Sequence, residues 1–244
     1  MSLLEPMDGL SAEESEFVDV IAKWVDNEVR PVVRDLEHSD TYPAALINQM
    51  KELGVYGLAI GEPWNSGSVS GRCYARITEE IARGWMSLSG AFGGHSVVSK
   101  LLTRHGTPQQ QERYLPLMAT GELRATMALT EPDGGSDLQA IRTVARPTSR
   151  DGVDGYVING AKTWITNSRM SDVIALLCKP TRKQPPRIPE FRFCSSRKFQ
   201  VSPWVATCQN LGTKVLRVVS SHSTIALFLH RPCWAERKVK ASPR

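Results

Sequence analysis

The chain has 244 residues, 41% of them hydrophobic and 23% charged, with a formal net charge of +5. This length and balance suit one large or two modest globular units with a real core, and exclude an intrinsically disordered chain. No apolar run approaches the length of a bilayer-spanning helix, and the opening MSLLEPMDGLSAEESEF lacks the basic-then-apolar pattern of a secretory leader, so a cytoplasmic protein without a membrane span is expected.

The first 120 residues read as helices. SAEESEF opens one with a capping box, in which the Ser11 hydroxyl accepts from a free amide and Glu14 reaches back. Phe17, Val20, Ile21, Trp24 and Val25 then form an apolar stripe, and Pro31 kinks or ends the helix. A second helix starts near Pro43, carries Leu46, Met50 and Leu53, and stops at Gly54. A third carries Tyr74, Ile77 and Ile81. A fourth carries Val97, Val98, Leu101 and Leu102 and stops at Gly106. Thr107, Pro108 and Gln110 make another helix start, and Gly121 marks its end.

The period then changes. RATMALT, IRTVARP, GYVINGAKTWIT and SDVIALLCK are short, rich in β-branched and aromatic residues, and separated by Gly, Asp and Asn. They predict strands joined by tight turns, with Asn159-Gly160 fitting a hairpin. The fold class expected is α+β: a helical domain over 1–121, then an antiparallel β domain from 122.

Five cysteines (Cys73, Cys178, Cys194, Cys208, Cys233) are odd in number and widely spaced, with no CxxC pair and no metal-ligand spacing. They read as reduced thiols, and no metal site is expected.

Two segments carry chemical content. In MALTEPDGGSD a strand ends at Thr130, and Pro132, Gly134 and Gly135 force a turn. Small residues admit a flat ligand close to the backbone, Thr130 and Ser136 offer hydroxyls, and the amides near Gly135 and Ser136 can donate to an electron-rich ring or a phosphate. The same residues also suit a plain turn. In NGAKTWITNS, Trp164 and Thr166 lie two apart on a strand and are expected to share a face. They are either core residues or one wall of a flat aromatic site.

Together, TEPDGGSD, INGAKTWITN and SDVIALL resemble, in order and spacing, the β domain of the acyl-CoA dehydrogenase family. ITEEIARG and RHGTPQQQERYLPLMATGE are similar to helices that precede it. The resemblance covers roughly residues 11–179, with EPWNSGSVSG (62–71) as a local departure. It implies FAD as cofactor and α,β-desaturation of an acyl-CoA thioester, in which a glutamate takes the α proton and the flavin the β hydride. It also implies an electron-transfer flavoprotein or similar acceptor, and a homo-oligomer.

Carried over by residue, it implies that Met127, Ala128, Leu129 and Thr130 lie along the flavin ring, with Thr130 bonding its edge. Gly135 and Ser136 fall where flavin and acyl-CoA meet, Ser136 also touching substrate. Trp164, Ile165 and Thr166 flank the flavin. The family draws its base from a C-terminal helical domain, so Glu131 is expected to be a structural part of its loop. No catalytic residue is expected within the chain, and His95 is expected to be packed rather than catalytic.

The charge is split. Residues 181–244 hold 13 Lys+Arg and 2 Asp+Glu, or +11, which leaves 17 and 23, or −6, before them. That segment contains one glycine, Gly212, of the chain's 18. A basic arm for nucleic acid is one reading, but the charges form no stripe and no nucleic-acid motif accompanies them, so nucleic acid is not an expected partner. A slipped reading frame accounts for more. When the third base of each codon is joined to the first two of the next, PEFRFCSSR can be read as GISLLLVEK, KVLRVVSSHSTIA as GVESCELSFDDC, and PCWAERKVKAS as VLGGTEGQGF. All three use one frame and follow family order. The break is expected near Pro180 or Thr181, which would make 122–180 the first part of the flavin-binding domain and 181–244 a poorly ordered tail. The C-terminal helical bundle would be missing, and oligomerisation doubtful. TIALFLH remains able to form a strand opportunistically.

Overall fold

The computed structural model describes residues 9–150, 153–168 and 170–180, together with the backbone of three short strands, Glu190–Ser195, Lys214–Leu216 and Ala226–Leu227. These fall into a helical unit, residues 9–104 with 111–123, and a sheet unit, residues 105–110 with 124 onward.

In the helical unit, α1 (Ala12–Trp24) opens on the expected capping box: Glu14 N donates to Ser11 Oγ at 3.1 Å and Ser11 N to Glu14 Oε2 at 3.2 Å. The other Glu14 oxygen accepts from the amide of Ser70 at 2.7 Å. Ser70 is itself the N-cap of α4 (Gly71–Gly84), its hydroxyl accepting from Cys73 N. One carboxylate thus serves two helix starts, and these backbone donors, Ser70 first, hold it below the ordinary glutamate value.

α1 runs into a π-turn over Val25–Val29, where Arg30 N reaches Val25 O at 3.0 Å. Pro31 follows. It has no N–H and its ring crowds the carbonyl four residues back, so the helix widens and breaks before α2 (Val33–His38). The buried stripe is Val18, Ile21, Trp24, Val25 and Val29. Val20, expected inside, is 40% exposed. At about 100° per residue it lies well off the face centred on Ile21, and Val18 takes its place.

α3 (Ala44–Glu52) buries Leu46, Ile47 and Met50 and stops at Gly54, whose φ of 73° is left-handed. α5 (Met86–His105) buries Val98 and Leu102 but leaves Val97 44% exposed. His95 is buried in this helix, its Nε2 3.1 Å from Met118 O and its ring edge-on to Tyr56. α6 (Pro108–Ala119) has the expected start, Thr107 N donating to Gln110 Oε1 and Gln110 N to Thr107 Oγ1.

α1 packs on α4 at close range. Just beyond α1, a Cβ built on Gly84 would lie 2.4 Å from Cγ1 of Val25 in the π-turn. The charges there are paired: Arg83 contacts fully buried Glu80 at 2.8 Å and Asp26 at 3.3 Å. The core tryptophans satisfy their N–H groups on side chains, Trp24 on Gln49 at 2.8 Å and Trp85 on Glu37 at 2.7 Å. Cys73 is buried and in no disulfide.

In the sheet unit the strands are β1 (Ala125–Ala128), β2 (Val144–Arg150), β3 (Val153–Asn159), β4 (Lys162–Ile165), β5 (Val173–Pro180), β6 (Glu190–Ser195), β7 (Lys214–Leu216) and β8 (Ala226–Leu227). Among the described residues the main sheet runs β3-β2-β5-β6-β8, with β1 also on β5, and β4-β7 forms a separate pair. The sheet expected to be antiparallel is mixed: β5 runs parallel to both β1 and β2, while β2-β3, β5-β6 and β6-β8 are antiparallel. β5 is buried along 173–178, including Cys178, as a strand flanked on both edges should be.

Asn159-Gly160 is not a hairpin. β3 pairs with β2, from Val144↔Asn159 to Arg150↔Val153, and the chain then leaves that ladder for β4. Gly160 is required for closeness instead, since a Cβ there would lie 2.6 Å from Thr143 Cα. Among the described residues no helix is long and apolar enough to cross a membrane, and no cluster of His, Cys, Asp and Glu could hold a metal. The expectation of a poorly ordered tail falls largely outside the described residues, although TIALFLH does contribute the two residues of β8.

Candidate functional site

β1 brings Met127 to half-burial and continues into the turn that begins at Thr130. Glu131 closes that turn on itself. Its amide donates to Gly134 O at 2.9 Å and its carbonyl accepts from Gly134 N at 3.2 Å. Its carboxylate points inward, 7% exposed, and accepts from the amides of Arg142 at 2.5 Å and Thr143 at 2.9 Å. Lys162, fully buried on β4, donates to the same carboxylate at 2.9 Å and to Leu129 O at 2.7 Å. Burial pushes the Glu131 carboxyl up, but the donors on Thr143, Arg142 and Lys162 outweigh it and hold it below the ordinary carboxylate range. A carboxylate so enclosed, and held below its ordinary range by these donors, is poorly suited to take a proton from substrate.

The two sequence motifs lie side by side. Thr163 N donates to Thr130 O at 2.9 Å, and Thr126 Oγ1 donates to Thr166 O at 2.7 Å. Residues 126–131 and 162–166 therefore run next to each other, tied at three points by these bonds and the Lys162 ammonium.

Trp164 does not share a face with Thr166 by strand alternation. β4 meets β7 at Lys162↔Leu216 and Ile165↔Lys214, so it carries one residue more than its partner between these points. Trp164 takes up the surplus with a left-handed φ of 58°. Lys162, Thr163 and Ile165 all go inside, Trp164 is turned out to 57% exposure, and Thr166 lies past the strand end in a turn. A bulky residue in that region is strained by about 1–2 kcal/mol and is held there by its surroundings.

Of the nine expected site residues, Met127, Leu129, Thr130 and Thr166 are half-buried, and Gly135, Ser136 and Trp164 are exposed. Ala128 and Ile165 are 0% and 2% exposed, so their side chains belong to the core and only their backbone could meet a ligand. Lys162, Thr126 and Thr163, which carry the junction, were not singled out from sequence. The signal available for Lys162 was a cation flanked by strand residues with no acidic neighbour in sequence to pair it.

A conjugated tricyclic ring requires an exposed aromatic or small-residue face and polar groups for its heteroatoms. Trp164 supplies an exposed indole. Gly135 adds no side chain, and its place beside Thr130 Cγ2 leaves ordinary space. Among the described residues the Thr130 hydroxyl makes no hydrogen bond. The residues present fit an isoalloxazine.

The profile of the acyl-CoA dehydrogenase N-terminal domain matches residues 11–122, and that of the middle domain residues 126–195. The chain belongs to the acyl-CoA dehydrogenase family. It is 33% identical over 171 residues to benzylmalonyl-CoA dehydrogenase of Aromatoleum aromaticum, a match covering 70% of this chain and 44% of that protein. It is also 33% identical over 173 residues to (2S)-methylsuccinyl-CoA dehydrogenase of Cereibacter sphaeroides, covering 70% and 31%. Among solved structures, an acyl-CoA dehydrogenase of Geobacillus kaustophilus superposes with a TM-score of 0.73 at 25% identity, over 93% of this chain and 60% of that one. An acyl-CoA dehydrogenase of Bacillus anthracis complexed with FAD gives 0.74 at 25%, over 95% and 40%. The chain thus spans less than half the length of these curated relatives. The middle-domain match runs past Pro180 into β6, a strand whose backbone pairs with β5 in continuous register.

Proposed function

We propose that this chain carries the first part of an FAD-dependent acyl-CoA dehydrogenase, acting on an acyl-CoA thioester and passing electrons to an electron-transfer flavoprotein or similar acceptor. The observation that supports it most is the junction of the two motif segments, in which Thr163 N bonds Thr130 O and the next residue, Trp164, is left-handed and exposed. Thr130 would bond the ring edge, Met127, Leu129 and Thr166 would contact the ring, Gly135 and Ser136 would meet the thioester, and Trp164 would cover the flavin. When bound, FAD supplies the hydride acceptor. With Glu131 enclosed, the proton-abstracting role falls to the C-terminal helical domain from which the family draws its base.

The reading of 181–244 as a slipped frame is part of the proposal. It is supported by the charge split and by three family-like segments in one alternate frame, while the middle-domain match as far as residue 195 in the present frame weighs against a break as early as Pro180. A polypeptide made in the present frame would hold flavin weakly and would not turn over, leaving a non-catalytic remnant whose helical unit is free to bind partners. The two buried thiols, Cys73 and Cys178, support a reducing, cytoplasmic setting.

The test is to express two proteins, one in the present frame and one with the frame restored by a single-base change near codon 180. The restored protein should purify yellow and reduce an acceptor dye with an acyl-CoA, while the present-frame protein should do neither. Flavin absorbance and turnover from the present-frame protein would overturn the frame reading. A restored protein that binds no flavin would overturn the site reading.

A further inference from the structure

We propose that Glu131 and Lys162 are positioning residues that set the two halves of the flavin-facing surface from a single buried ion pair. The inference rests on the reading of this site given above. Two features on opposite strands need an anchor. One is the exposed loop bearing Gly135 and Ser136, whose return at Arg142 and Thr143 is held by amide bonds to the Glu131 carboxylate. The other is the left-handed Trp164, two residues beyond Lys162. Lys162 Nζ donates to Glu131 Oε1 and to Leu129 O, so the carboxylate that closes the loop also fixes the start of the bulge.

The geometry sorts the neighbours by what they do. On the far side of Trp164, Ile165 is sunk in the core and Thr166 O is held by Thr126 Oγ1. On the near side, Thr163 N bonds Thr130 O, but the Thr163 side chain makes no hydrogen bond among the described residues. The side-chain anchor on that side is therefore Lys162. A neutral side chain of similar length would fill the same space but would release Leu129 O and leave the carboxylate with its backbone donors alone. The bulge could then relax toward regular alternation, turning Trp164 inward and Thr163 outward. A buried charge pair that sets conformation is a better explanation here than one kept for stability, because such pairs often contribute little net stability.

The test uses the full chain labelled with 5-fluorotryptophan, with the Trp164 fluorine resonance assigned by its loss in Trp164→Phe. Lys162→Met and Glu131→Gln should shift or broaden that resonance and reduce its H2O/D2O solvent shift, leaving the resonances of Trp24 and Trp85 in place. Lys162→Arg should restore much of the wild-type position, because a guanidinium can reach the same two acceptors. Should either single variant unfold the sheet unit, the Glu131→Gln/Lys162→Met pair removes both buried charges and serves in its place, with the same displacement of Trp164 expected. A Trp164 resonance unmoved in a folded Lys162→Met or double variant overturns the assignment, as does a Lys162→Arg variant indistinguishable from Lys162→Met. FAD added in excess to the frame-restored protein, labelled in the same way, separates the two readings. If it leaves the Trp164 resonance unmoved while the variants still displace it, the flavin site is lost and the positioning role stands.

Discussion

Gly84→Ala tests how tightly the π-turn that follows α1 packs on α4. A Cβ at this position would sit 2.4 Å from Val25 Cγ1, 3.4 Å from Val29 Cγ1 and 3.6 Å from Val25 Cβ. Val25 and Val29 are fully buried, and a valine in a helix has one strongly preferred rotamer, so the first contact cannot be relieved by side-chain rotation. Relief requires moving a helix by about 1 Å, and overpacking of this kind costs about 1–3 kcal/mol. Against it stands the gain from replacing glycine in a helix, at most ~1 kcal/mol and less at the last residue of α4. The net loss should be about 1–2 kcal/mol, which at a urea slope of ~2 kcal/mol per M lowers the midpoint by about 0.5–1 M. Unfolding in urea followed by the emission of buried Trp24 and Trp85 reads this directly. The control is the same change in a Val25→Ala background. Val25→Ala alone should be destabilising, but with the clashing methyl gone, Gly84→Ala should become neutral or stabilising by up to ~1 kcal/mol. A midpoint at or above wild type, or an equal loss in both backgrounds, would refute the packing argument.

Three further outcomes follow from the same structure. Ser11→Ala removes the acceptor for Glu14 N, so amide exchange in the first turn of α1 should quicken about fivefold, the equivalent of ~1 kcal/mol, and unchanged exchange would count against the cap. Glu131 is held below its ordinary value, so its contribution to stability should be intact above about pH 4.5 and lost as the pH falls further. Urea midpoints measured downward from neutral pH should fall more steeply for wild type than for Glu131→Gln, and parallel profiles would sink the assignment. Cys73 is fully buried, and its thiol is pushed up to about 11 by burial and then by Glu14. It should resist iodoacetamide at mildly alkaline pH until the helical unit unfolds, as mapped by mass spectrometry, and native labelling would contradict its placement.

Local rules made the helical unit legible. Capping boxes at Ser11 and Thr107, the glycine stop at Gly54 and the disruption before Pro31 are each written within a few residues of where they act. Misplacements occurred where two residues competed for one face, as with Val20 and Val18, because a stripe read by spacing alone does not fix its centre. In the sheet unit, the strands were legible but their partners were not. Asn159-Gly160 has the composition of a hairpin turn, yet β3 had already found β2, and nothing local to those two residues records that. Trp164 and Thr166 were placed on a common face by a period of two, which fails wherever a bulge inserts a residue. The motifs that bear the site were visible as motifs. The buried cation joining them was not, because its acceptors are 31 and 33 residues away in sequence.

The shared Glu14 carboxylate couples two helix starts that lie far apart in the chain. One oxygen accepts from the amide of Ser11 at the cap of α1, and the other from the amide of Ser70 that opens α4. An isolated helix of this length is marginal in water, so each start gains from the other's being in place. A change at Glu14 would therefore be felt in α4 as well as in its own helix.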